Sequence, residues 1–162
     1  MFNLSTFTHL HVAISLVAIL SGLVVMFGLL TGRLLIHWTS FFLLTTVVTG
    51  VTGFFFPFHG FTPAIGGGIV LLIVLALAIF ARYPRRLAGA WRWIYAVTAT
   101  FALYLSVFAL IAESFQNIPK LQAMAPTLTE TPFLVTQAIA LILFVVLGIV
   151  AAIRFRPPPV PI

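Results

Sequence analysis

Side chains able to bind or transfer a ligand are scarce in this sequence, so their positions are informative: His9, His11, His59, Glu113, Gln116 and Gln137 stand out among long apolar runs. Neutral imidazoles and one carboxylate are donors suited to a divalent metal such as zinc, and His9, His11, His59 and Glu113 supply four. The spacing alone is not diagnostic. His9 and His11 stand at i and i+2, which point apart on a helix and converge only if the chain is extended before the first helix. His11 and His59 on adjacent helices would instead suit a b-type haem held between them, and a single such pair gives no support to a two-haem path. A quinone needs apolar walls and one or two hydrogen-bonding groups, which Phe54, Phe55, Phe56, Phe58, His59 and Glu113 provide. His11, His59, Glu113 and Gln137 are thus the cofactor-binding candidates. The competing reading places the same groups in the lipid headgroup region, bonded to water, loop backbone and one another. No catalytic residue is assigned, because no nucleophile or acid–base pair is recognisable outside this cluster.

The elements that must position these residues are membrane helices. Of 162 residues, 62% are hydrophobic and 6% charged, too apolar for a domain whose surface faces water. The formal charge of +6 would suit a nucleic-acid binder in a soluble protein, but here the basic residues fall in short loops between apolar runs and read as topology signals. Without cysteine there is no disulfide, thiolate metal site or thiol–disulfide exchange. The first ten residues lack the basic n-region of a signal peptide, so the first apolar run reads as a retained helix.

Five stretches approach the ~20 apolar residues a bilayer crossing requires: 10–30, 38–58, 64–83, 91–112 and 132–153. The expected fold is an all-α, polytopic integral membrane protein, a five-transmembrane-helix bundle forming one domain over residues 1–162. Thr62-Pro63 and Thr131-Pro132 each offer a hydroxyl cap followed by a first-turn proline. Arg33, then Arg82, Arg85, Arg86 and Arg92, then Arg154 and Arg156 fall on one side of a five-span chain, opposite Lys120, Glu113 and Glu130. Basic short loops stay cytoplasmic, which places the N-terminus out and the C-terminus in. Trp91, Trp93 and Tyr95 are expected to anchor the fourth span at the inner interface. The His/Glu/Gln cluster then lies at the outer end.

Small and polar residues at spacings of 3 and 4 mark the faces where membrane helices meet. They give His11, Ser15, Ala18 and Gly22 on the first span, and Thr45, Thr49, Thr52, Phe56 and His59 on the second. The fourth carries Ala99, Ala102, Ser106, Ala109, Glu113 and Gln116; the fifth, Gln137, Phe144, Gly148 and Ala151. Leu103 and Phe108 are expected to face lipid. Gly28 and Gly32 fit a small-xxx-small crossing, and Gly66-Gly67-Gly68 a tight packing surface. The connection 116–131 is expected to cap the outer mouth.

The segment Phe56-Pro57-Phe58-His59-Gly60-Phe61-Thr62-Pro63, together with Ala125-Pro126-Thr127-Leu128-Thr129-Glu130, resembles small bacterial multispan inner-membrane proteins with no assigned activity. That resemblance implies the bacterial inner membrane and supplies no catalytic motif. The functional expectation is a membrane binding or accessory subunit with a divalent metal, b-type haem or quinone at its outer end. Its partners are the lipid bilayer and other membrane proteins or copies of itself, with no nucleic acid. The alternatives are a purely structural or assembly subunit and a small transport component.

Overall fold

The computed structural model describes residues 4–57 and 60–158. Among these residues six helices follow in order: α1 Leu4–Leu30, α2 Ile36–Gly53, α3 Pro63–Arg82, α4 Trp91–Asn117, α5 Pro119–Met124 and α6 Thr131–Arg154. Four of them, α1, α3, α4 and α6, are long and apolar enough to cross a membrane, which marks a membrane protein. Exposed side chains such as Ile139, Ile142 and Ile149 on α6 suit contact with lipid.

The 18-residue α2 is less apolar because it carries five threonines. Thr45, Thr46 and Thr52 each return their hydroxyl proton to a carbonyl one turn back, so the helix is less polar than its composition implies. It runs antiparallel to α1 over its whole length, with Thr52 beside His11 near one end and Leu35, just before the helix, against Gly28 at the other. Against α3, Ser40 bonds Tyr83 and Gly50 faces Leu72.

Packing proceeds from α1 to α2, α3, α4 and α6, and α1 also reaches α4 and α6. The hub is α4. Ala96, Ala99 and Ala102 are almost wholly buried there, and their small side chains let neighbouring helices approach closely. Gly22 on α1 faces Leu103 and Phe42; a Cβ at Gly22 would come within 2.6 Å of Leu103 Cδ1. Leu103 is therefore buried, contrary to its expected lipid exposure, while Phe108 is exposed as expected. The small-residue face of α4 is covered through Ala102, partly at Ser106, and open at Ala109. Of the inward residues expected on the last span, Gln137, Phe144 and Ala151 are buried and Gly148 is partly covered. On α2 the buried stripe is Thr39, Phe42, Leu43, Thr46 and Gly50, rotated from the expected Thr45–Thr49–Thr52 line.

Local chemistry fixes the helix ends. Thr62 accepts from the Ile65 amide and Pro63 starts α3, as expected. Thr131 is instead the first residue of α6; Glu130 holds the cap position, and its carboxylate turns back to Thr127 and Thr129. At the end of α1, Gly32 has φ 72° and the Arg33 amide donates to Gly28 O at 2.8 Å. A Cβ on Gly28 would meet Arg33 O at 2.9 Å, so Gly28 serves this fold-back rather than a crossing of distant helices. Rings of Phe61 and Phe54 lie against Gly66 and Gly68.

The bundle's two ends differ. The main core, including Met26, Leu29, Phe42, Leu75, Ala78, Tyr95, Ala99 and Phe155, extends from mid-bundle to the arginine-bearing end. Tyr95 is wholly buried there, near Thr39 and the Phe155 ring, and so is not an interfacial anchor. The opposite end has a smaller cluster of Phe115, Ala125 and Phe133, with Leu121 and Leu128, where α5 and its flanking loop pack on α4 and α6.

Candidate functional site

The histidine-bearing end is built first by α1, which begins six residues earlier than the apolar run suggests and carries both His9 and His11. Two residues apart on one helix, they project to different sides; His9 is exposed and His11 half-buried. The extended stretch that would let them converge is absent.

His11 sits in a notch of α2. Its Nδ1 lies 2.9 Å from Thr52 Oγ1, its ring meets the edge of Phe56 at 5.1 Å between centroids, and Gly53 leaves space beside its Cε1. Thr52 has one hydroxyl proton, donated to Val48 O at 2.7 Å. Its oxygen is then an acceptor towards His11. In the neutral imidazole this places the proton on Nδ1 and leaves the Nε2 lone pair without a hydrogen-bond partner among the described residues. A backing hydrogen bond of this kind orients a ligating histidine. His59 and Phe58 lie outside the described residues.

Glu113 is exposed on α4; its backbone carbonyl accepts from Asn117 Nδ2, and among the described residues its carboxylate has no hydrogen-bond partner. Gln137 is buried between α6 and α4. Its Nε2 donates to Phe108 O at 3.1 Å, while its Oε1 is buried without a donor. No hydrogen bond joins His11, Glu113 and Gln137. Among the described residues, no three of His, Asp and Glu could hold a metal ion together.

Glu130 makes a separate motif in the loop before α6. Its carboxylate accepts from Thr127 Oγ1 at 2.7 Å and from the amides of Thr127 and Thr129. The Thr127 hydroxyl, helped by these amides, holds the carboxyl below the ordinary glutamate range. Leu128, at φ 60°, makes the bend that brings the amides round.

Sequence reasoning placed Thr52 on an inward stripe without identifying it as the partner of His11. The signal was available: both are polar residues near the same end of consecutive helices. Arg82, read as a topology signal, is also buried in the fold. No protein-family model, curated protein or solved structure matches the chain.

Proposed function

We propose that this is a five-span bacterial inner-membrane protein, N-terminus outside and C-terminus in the cytoplasm, acting as a binding or accessory subunit. It holds a divalent metal or a b-type haem at its outer end. The observation carrying the ligand is His11: Thr52 fixes its ring so that Nε2 is an available donor on a half-buried side chain. His59, three residues beyond Phe56, is the second imidazole of this reading. The fifth span is α2, which packs antiparallel to α1 and α3 and three of whose five threonine hydroxyls, those of Thr45, Thr46 and Thr52, bond within the helix. The side bearing Arg33, Arg82, Arg85, Arg86, Arg92 and Arg154 is cytoplasmic.

Absorption spectroscopy and elemental analysis of protein purified in mild detergent test the ligand. A haem band or stoichiometric metal is expected, lost in His11→Ala and in His59→Ala; neither signal in wild type refutes the reading. A reporter after Ile162 is expected in the cytoplasm and one near Lys120 outside, and the reverse overturns the orientation.

A second reading, a structural or assembly subunit, is favoured by the open stretch Ala109, Glu113 and Gln116, which continues the buried small-residue face of α4. A photo-crosslinker at Ala109 should then give a discrete protein adduct in native membranes, and one at lipid-facing Ile142 should not. Matching patterns at both sites count against a partner there.

A further inference from the structure

Seven of the eight lysine and arginine residues belong to the end opposite His11, and two of them do not behave as rim cations. Arg82 is only 6% exposed and Arg92 is half-buried, and the Nε of each is buried without a hydrogen-bond partner. Their positions explain the burial. Arg82 continues the core-facing line Leu71, Leu75 and Ala78 on α3, and Arg92 precedes Tyr95, Ala96 and Ala99 on the buried face of α4. These helices pack directly together. The Arg82 guanidinium lies 5.1 Å from the Tyr83 ring centre and within Coulombic reach of the Tyr95 hydroxyl. Both arginines therefore stand on buried faces at the same end of the packed α3–α4 pair.

The chain has no acidic side chain to neutralise them. Its only two, Glu113 and Glu130, belong to the other end, and Glu113 is ~30 Å from Arg92 along α4. Arg92 also lies in the first turn of α4, whose cap residue Ala90 supplies no side-chain acceptor, so amide dipoles add to the positive potential. A buried guanidinium nitrogen without an acceptor is costly, and no acidic side chain at this end offsets the charge, so an anion from outside the chain would relieve it. Guanidinium forks and first-turn amides match the oxygens of a phosphate, and headgroup phosphates lie at the depth where spanning helices end.

We propose that Arg82 and Arg92 form an anion site at the arginine-bearing mouth of α3 and α4, and that it takes a phosphate group, either free or in an anionic phospholipid headgroup. The site is independent of the ligand assigned to His11. Native mass spectrometry of the purified full chain, titrated separately with phosphatidylglycerol, phosphatidylcholine and inorganic phosphate, reads occupancy directly. A saturable one-to-one adduct is expected. Its affinity should fall about tenfold or more in Arg82→Gln and in Arg92→Gln, and stay near wild type in Arg33→Gln, which alters an exposed rim arginine. An adduct with phosphatidylglycerol alone identifies the lipid headgroup; one with inorganic phosphate as well identifies the phosphate group itself. No saturable adduct with either, an equal adduct with phosphatidylcholine, or equal losses in Arg33→Gln and Arg82→Gln would overturn the site. Should Arg82→Gln not fold, Arg92→Gln and the wild-type titration decide.

Discussion

Gly22 and Gly67 are both helical glycines, yet replacing each with alanine should have opposite consequences. At Gly22 a Cβ would stand 2.6 Å from Leu103 Cδ1 and 2.8 Å from Phe42 Cε2, whereas at Gly67 nothing lies within 4 Å. Alanine is a better helix former than glycine by about 1 kcal/mol, a gain common to both variants. It cancels when they are compared, leaving the packing cost at Gly22. Leu103 and Phe42 are each only 1% exposed and have little room to retreat, so that cost should be about 1 to 3 kcal/mol. Unfolding of the purified protein in mixed micelles of increasing SDS fraction measures both variants. Gly67→Ala should match or exceed wild type and Gly22→Ala should fall below it. The double variant Gly22→Ala/Leu103→Ala should be more stable than the sum of its single changes predicts, since truncating Leu103 removes one clash. Equal stability of Gly22→Ala and Gly67→Ala, or strict additivity in the cycle, would refute the close approach of α1 to α4.

Leu103→Ala should destabilise by about 2 to 5 kcal/mol, because it empties a buried site, and Phe108→Ala by clearly less, since Phe108 is 40% exposed; the same unfolding assay ranks them. Thr62→Ala removes the acceptor for the Ile65 amide and should cost about 1 kcal/mol, visible as faster hydrogen exchange in the first turn of α3. The Glu130 loop should respond to acid. Its folded-state pKa lies below the ordinary value of 4.5, so the carboxylate's contribution is present above 4.5 and lost as pH falls through the lower folded value. Amide NMR signals of Thr127 and Thr129 should move together in that window and be insensitive to the same change of pH in Glu130→Gln; movement centred above 4.5 would contradict the sign.

Hydropathy located the long helices because burying backbone in hydrocarbon demands apolar residues over the whole crossing. It misjudged their ends. α1 starts at Leu4 and α4 continues through Glu113 to Asn117, since polar residues beyond the hydrocarbon remain helical while scoring as loop. Small-residue spacing identified the packed face of α4, but not how far neighbouring helices follow it: Ala102 is covered and Ala109 is not. On α2, threonines that bond their own carbonyls lose their value as markers of an interface, and the stripe of Phe42, Thr46 and Gly50 sets the phase. The burial of Arg82 was legible in the line Leu71, Leu75, Ala78, Arg82, but the topological meaning of loop arginines masked it.

The uneven core gives the two ends different physical roles. From Ser21 to Leu29 on α1 and from Tyr95 to Leu103 on α4, buried side chains interlock with Phe42, Leu75 and Phe155, so opening there must break many contacts at once. Towards His11 and Glu113 the buried apolar contacts thin to the Phe115, Ala125 and Phe133 cluster, and local opening costs less. A site that admits a ligand needs that freedom, whereas an anion at Arg82 and Arg92 would be held against the tightly packed end. Occupancy at the His11 end would therefore stabilise chiefly the looser ends of α1 and α2, while an anion between Arg82 and Arg92 would strengthen the part already holding the helices together.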